Sequence, residues 1–368
     1  MQIDQIDLYQ SRIKLKEPFI ISLGPLEWAE HVVVVIRSRD GLTGYGECSP
    51  FMTINGETVD TCFAVGQLLA KLLLGKNPLQ LEECARLMDA LIWGNSSIKS
   101  AFSIALYDIA AQQAGLPLYA FLGGRQNKAL FTDFTVSLSN TQKMAADAQR
   151  IKQAGYSIIK VKLGGSGEED IERISAIRNA IGYELPLRID ANQGWSTETA
   201  IATLKALAPY NIQHCEEPIP RWDFMNLPRV KQQSPIPIMA DESCCDHHDA
   251  ARLIQLQACD SLNIKLGKSS GFFNAQKIVS LADAADMPMQ VGGFLESRLG
   301  FTASAHLALS SNNIIHFDFD TPLMQVDDPV IGGLSYHKNG EVQLPDTPGL
   351  GATVDQKFLE GKTSITIK

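Results

Sequence analysis

Several things are missing from this 368-residue sequence. No two of its cysteines are spaced C-x-x-C, and the seven of them (48, 62, 84, 215, 244, 245 and 259) are odd in number. A zinc site or a disulfide framework is not expected, and free buried thiols in a reducing cytoplasm are. No apolar run reaches the ~18 residues that a membrane span needs. The start, MQIDQIDLYQ, has neither the basic nor the apolar region of a secretory signal. Positive charge is not in excess: 32 Lys and Arg against 41 Asp and Glu leave a net charge of −9. Nucleic acid and anionic membranes are therefore not expected as partners. Low-complexity tracts and charge blocks are also lacking. What is present is ordinary in bulk, with 45% apolar and 20% charged residues. A chain of this size can bury a large core, in one large α/β domain or in a large domain with a smaller one.

The order of patterns along the chain is more informative. The first ~55 residues carry β-rich runs (QIDLYQSRIKL, EHVVVVIRSRD, LTGYGECSP) broken by turn residues. From Val59 to Gly115 the apolar period becomes helical. Residues 1–122 thus read as an α+β module. From 123 to 325, β-rich segments end near Thr135, Lys162, Asp190, Glu216, Asp241, Lys265, Gly292 and Asp318. The spacing of about 24–28 residues fits one strand, one helix and two loops. Eight such units predict a closed parallel (β/α) barrel. Residues 326–368 have Gly/Pro turns and short strands, and are expected to return to the N-terminal module.

The polar residues that do not fit a packed strand fall at the C-terminal strand ends, where barrel enzymes place their chemistry, while the strand interiors are expected merely to pack. In SIIKVKL, Lys160 and Lys162 are two apart and share a face. Buried lysines need partners, and Asp190, Glu216 or Glu217, and Asp241 converge from the next three strands. A single aspartate after a strand is usually a helix cap; three acids and three lysines in register are not explained that way. The three carboxylates suit one hard divalent cation, Mg²⁺. Lys162 and Lys265 stand across the barrel mouth from each other, as two bases on opposite faces of a carbon acid would. Burial and the neighbouring Lys160 are expected to lower the base's pKa, and Lys160 could also touch a substrate carboxylate. Lys268 is expected to be solvated.

The set K-x-K, RIDANQGW, CEEP, ADES and NIKLGKSSG resembles the enolase superfamily, in its muconate-lactonizing-enzyme subgroup, over nearly the whole chain. The resemblance implies an N-terminal α+β capping domain on a modified (β/α)7β TIM barrel. It implies one Mg²⁺ per subunit on Asp190, Glu216 and Asp241, with Lys162 and Lys265 as acid/base catalysts. HFDFDTPLM is similar to the D-x-D segment of dipeptide epimerases, which implies that Asp318 and Asp320 receive the substrate's α-ammonium. Thr135 is a further expected substrate contact; Glu296 could touch substrate or a lysine, or be structural, and Asn192 lies beside the metal set. Epimerases for L-Ala-D/L-Glu carry an arginine in the first capping loop, at the position of Gly24, and this loop has no cation. Ala-Xaa dipeptides with a small or apolar second residue are therefore expected; Glu27 leaves a cationic one open. L-Ala-D/L-Glu epimerisation, N-acylamino-acid racemisation and cycloisomerisation are the alternatives. A homo-oligomer is expected.

Overall fold

The computed structural model describes residues 1–368. Its first sheet is antiparallel, built from β1 (Ile3–Ile21), β2 (Gly24–Ser38) and β3 (Thr43–Cys48). The helices α1 (Val59–Leu73), α2 (Leu81–Leu91) and α3 (Ser96–Ala114) follow. Alternating residues of the sheet (Ile6, Leu8, Val32, Val34, Ile36) are buried against α1 and α3. The approach is close because Gly44 and Gly46 share one face of β3. A Cβ at either would collide with a carbonyl oxygen of α3, Ala105 or Ala101. The hairpin of β1 and β2 extends past this core toward the rest of the molecule. There Leu15, Phe19, Ile21 and Ala29 pack with Leu295 of the barrel.

After the short α4 (Leu118–Phe121) and β4 (Leu130–Phe131) comes an eight-stranded parallel sheet. Its strands are β5 (Phe134–Val136), β6 (Ile159–Lys162), β7 (Leu187–Asp190), β8 (Ile212–Glu216), β9 (Ile238–Ala240), β10 (Ser261–Ile264), β11 (Met289–Val291) and β12 (Ile314–Phe317). Every gap holds at least one helix: α5 (Thr141–Gln153), α6 (Gly167–Ile181), α7 (Thr197–Leu207), α8 (Leu227–Gln233), α9 (His247–Gln255), α10 (Phe272–Ala284) and α11 (Arg298–Leu309). Seven strand–helix units and a final strand make a (β/α)7β array. Side-chain oxygens of Asn140, Ser166, Ser196, Asp246 and Ser297 cap five of these helices, and so stop each loop at a defined turn. The sheet is a ladder from β5 round to β12, without a ladder between those two. The curl is closed instead by Asp133 N–H donating to Phe317 O and Phe319 N–H donating to Thr132 Oγ1. In the C-terminal segment, Ser364–Ile367 pairs with β1 in the first sheet. Glu341–Gln343 pairs with β4, and Val330–Gly332 with Ala352–Val354, so most of that segment lies outside the capping sheet. No helix is long and apolar enough to cross a membrane.

Candidate active site

Asp190 ends β7 and Glu216 ends β8, directly paired in register, and Asp241 follows β9. All three are fully buried, and each meets an ammonium group. Lys162 donates to Asp190 at 2.6 Å and Lys265 to Asp241 at 2.6 Å. Lys160 lies between them, 2.8 Å from Glu216, 2.8 Å from Asp318 and 3.1 Å from Asp190. Lys268 is not solvated: it is buried and 2.5 Å from the second oxygen of Asp241, because the turn after β10 folds back over the strand end. Glu217 points away from this group and accepts from the backbone N–H groups of Asp241 and Ser243, 2.7 and 3.2 Å away. Asn192, at φ 41°, bonds Glu242, and the free oxygens of both are buried without a partner. An all-oxygen set at one strand-end layer, with unpartnered acceptors beside it, is the donor chemistry that a hard divalent cation takes.

Burial and charge oppose each other at two of the lysines. Burial alone would lower Lys160 and Lys265. For Lys160 the carboxylates of Asp318, Glu216 and Asp190 outweigh burial, and for Lys265 those of Asp241 and Glu216 do, so both are raised above the ordinary lysine range. Burial likewise works to raise Asp241, and the charges of Lys265 and Lys268 override it and hold the carboxyl below the usual range. Glu216, buried and beside Asp190, is pushed up to about 7 in spite of Lys160.

The strand interiors do more than pack. Two residues before each strand-end position lies a second inward layer: Asp133, Lys160, Arg188, His214, Met239, Asn263, Gln290 and His316. Seven of the eight are polar, and six of these bond across the barrel, while both ring nitrogens of His214 are buried without a partner. Arg188 meets Asp133 at 2.8 Å and His316 at 2.9 Å. The amide groups of Asn263 and Gln290 donate to the two oxygens of Glu216 at 2.8 and 3.3 Å. This layer fixes the carboxylates above it from below. Period-two alternation marks these positions as inward-facing; Asn263 and Gln290 went unread because amides in a strand suggest no chemistry by themselves.

Above the acids is a small chamber of about 40 Å³. Lys162 and Lys265 both reach it, from strands on opposite sides of the barrel, with Thr135, Asn192, Asp318, Asp320 and Thr321. Phe19 and Ile21 of the first capping loop, Phe51 and Ile54 of the second, and Phe294 and Leu295 complete its walls. The Lys162 ammonium faces the Phe19 ring at 5.8 Å and Lys265 faces Phe294 at 5.1 Å. The Thr135 backbone N–H donates to Asp320 at 2.7 Å. Oxygens of Asp133, Asp318 and Asp320 lie within 4.8 Å of one another. Arg188 and Lys160 already hold the first two of these acids at contact distance. Glu296 does not line the chamber; it bonds the backbone of its own loop at Phe294.

An adjoining cavity of about 290 Å³ shares Ile21, Phe51 and Leu295 with the chamber. Leu23, Gly24, Pro25, Leu26 and Met52 line it, and no lysine or arginine does. Its two acids are engaged: Glu30 with Arg12 at 3.2 Å, and Glu57 with the start of α3. Glu27 is exposed and outside the cavity. Gly24 has φ 124°, which side-chain-bearing residues rarely adopt, so an arginine there requires another backbone path.

Comparison with known proteins follows the same division. The model of the mandelate racemase/muconate lactonizing enzyme N-terminal domain matches residues 5–123, and that of the enolase C-terminal domain-like family matches residues 143–358. A D-Ala-D/L-Ala epimerase of Cytophaga hutchinsonii is 60% identical over the full length of both chains. A hydrophobic dipeptide epimerase of Enterococcus faecalis is 38% identical over 95% of this chain and 99% of its own. Among solved structures, the Cytophaga hutchinsonii dipeptide epimerase complexed with Mg and D-Ala-L-Val superposes with a TM-score of 0.99, covering both chains fully. The L-Ala-D/L-Glu epimerase of Bacillus subtilis, 38% identical, superposes at 0.93 over 96% of this chain and 99% of its own. With both of its domains matched and a relative this similar over its full length, the chain belongs to the mandelate racemase/muconate lactonizing enzyme family of the enolase superfamily, an isomerase among epimerases and racemases.

Proposed function

We propose that this protein is a Mg²⁺-dependent dipeptide epimerase that inverts the α-carbon of the second residue of D-Ala-Xaa dipeptides, where Xaa is small or apolar. The observation that carries the reading is the placement of Lys162 and Lys265 at opposite walls of one chamber that also holds Asp318 and Asp320. Asp190, Glu216 and Asp241 would hold the metal, which supplies positive charge toward the substrate carboxylate and so makes the adjacent carbon acidic. One lysine takes the α-proton from one face; the other, already protonated, returns a proton to the opposite face, and the centre inverts. Acid/base groups placed in this way contribute about 10²–10⁴-fold each. The phenylalanine walls exclude water from the carbanion-like state, and the Asp318/Asp320 side offers a place for a free ammonium.

The second-residue preference rests on the adjoining cavity, whose walls offer no cation. A carboxylate side chain there would be desolvated without a partner. The D configuration of the first residue rests on the relatives that act on and bind D-Ala peptides. The reading includes a homo-oligomer, and a reducing cytoplasm, which the free cysteines, all but Cys245 buried, support. The test is incubation with Mg²⁺ in D₂O and a panel of D-Ala-Xaa, L-Ala-Xaa and Ala-Glu dipeptides, followed by mass and chiral analysis. One deuterium gained with inversion at the second residue of D-Ala-Ala or D-Ala-Val is the expected result. Exchange only with Ala-Glu would overturn the specificity, and no exchange with any dipeptide would overturn the activity.

A further inference from the structure

Four buried lysines stand at the barrel mouth, and the proposed reaction leaves one of them, Lys268, without a task. It does not line the chamber, so it cannot touch a substrate there. Its side chain is fully enclosed, and its ammonium has three acceptors: Asp241 Oδ1 at 2.5 Å, the Asp241 carbonyl, and Asn263 O at 3.0 Å. A lysine is rarely buried so completely unless it is paired. Its pairing differs from what Asp190 has on the other side of the mouth. Asp190 gives Oδ2 to Lys162 and Lys160, and its Oδ1 accepts from a main-chain N–H, that of Asn192, at 2.9 Å. Asp241 likewise gives Oδ2 to Lys265, but its Oδ1 meets a second ammonium. One turn delivers both lysines: Lys268 N–H donates to Lys265 O at 2.9 Å, and side chains three residues apart clamp the two oxygens of one carboxylate.

We infer that Lys268 is a positioning residue: it is the permanent counter-charge of Asp241, which lets Lys265 leave that carboxylate and turn to the substrate. This deepens the two-lysine reading and rests on it. Lys265 has two partners to serve. It is paired with Asp241 at 2.6 Å, and in the reaction it must reach a carbon in the chamber. A buried carboxylate holds its last counter-ion strongly, because removal of that partner leaves an uncompensated charge. With Lys268 on the far oxygen, Asp241 keeps a partner whether Lys265 is on it or away. The same fixed charge opposes any cation that binds at Asp241, and so keeps the hold on Mg²⁺ loose. The Lys162 side needs no such residue, because Lys160 already shares Asp190.

The experiment uses the full chain with three substitutions. Lys268→Met keeps the length of the side chain without its charge, Lys268→Gln keeps a donor for the carbonyl oxygens, and Lys268→Arg keeps the charge. Mg²⁺ affinity is read by titration calorimetry, and α-deuterium exchange from each epimer of D-Ala-Ala is read at saturating Mg²⁺. Lys265→Ala identifies the epimer whose exchange depends on Lys265. In Lys268→Met and Lys268→Gln, exchange from that epimer is expected to fall about tenfold relative to the other, the worth of one hydrogen bond to a charged group. Mg²⁺ is expected to bind about tenfold more tightly in both, since a nearby positive charge has gone. Lys268→Arg should return the ratio between epimers toward wild type. Equal losses on both epimers, or Mg²⁺ affinity that is unchanged or weaker, would overturn the inference, because a lysine that only supports the fold gives that result. Should Lys268→Met fail to fold, Lys268→Gln decides. If Lys162→Ala and Lys265→Ala do not separate the epimers, the two-lysine reading fails and this inference with it; if they do and Lys268→Gln does not, this inference alone fails.

Discussion

The barrel mouth and the capping loops close on the same chamber by opposite means. At the mouth, side chains bond side chains: Lys162 to Asp190, Lys160 to Glu216 and Lys265 to Asp241, all buried, at 2.6–2.8 Å. The capping loops are held through main-chain oxygens. Ser22 donates to Asn192 O at 2.7 Å, Asn55 to Gly267 O at 3.1 Å, Arg221 to Ile54 O at 2.5 Å, and the His31 ring meets Leu295 O at 2.8 Å. A carbonyl partner does not depend on which side chain its residue carries. The loop residues that line the second-residue cavity can therefore vary without loosening the closure. Each charged group at the mouth shares its partner with another, so one change there disturbs several. On the proposed reading the reaction is built into strands and the choice of substrate into loops, as is general for barrel enzymes.

The largest expected break is on the strand side. Lys162→Ala or Lys265→Ala should lower the epimerisation rate by about 10³-fold or more, with melting temperatures close to wild type, as checked by chiral chromatography and calorimetry. Next is Asp241→Asn, which leaves Lys265 and Lys268 buried without their shared counter-charge. We expect a loss of about 3 kcal/mol in stability and loss of Mg²⁺ binding by titration calorimetry; unchanged stability would mean that Lys268 is not neutralised by Asp241.

On the loop side, effects should be selective and smaller. Leu23→Arg places a cation at the cavity wall while leaving Gly24 its φ of 124°. It should raise kcat/KM for Ala-Glu about tenfold relative to Ala-Ala with the fold intact, and no change in that ratio would sever the cavity from second-residue recognition. Asn55→Ala removes one of the two side-chain links that hold the second loop to the barrel. It should raise KM a few-fold, the effect of a single hydrogen bond, and leave kcat alone.

The smallest expected effect is one of pH. Asp320 is pushed up to about 7 by burial and then by Asp318. Below that value it is neutral and cannot pair with an ammonium; above it the charge is present. The KM for a dipeptide should therefore fall as pH rises through about 7, and the KM for N-propanoyl-L-alanine, which lacks the ammonium, should not follow.

The same contrast explains what could be read from the sequence. The barrel, its eight strand ends, and the acids and lysines on them were legible because strand alternation and a regular repeat place them without knowledge of any contact. Lys268 was misread because a turn, not a strand, aims it. Asn263 and Gln290 were passed over because amides acquire roles only from partners far away in the chain, here Glu216. The backbone at Gly24 was not readable either, since φ is decided by how the hairpin turns.

The most direct test of the two-face account separates exchange from inversion. Each epimer of D-Ala-Ala is incubated in D₂O with Mg²⁺ and with the Lys162→Ala or the Lys265→Ala variant, and α-deuterium is measured before any product accumulates. The account predicts that each variant still exchanges one epimer and not the other, that the two variants retain opposite epimers, and that neither inverts the centre. Loss of exchange from the same epimer in both variants, or inversion by either one, would contradict it.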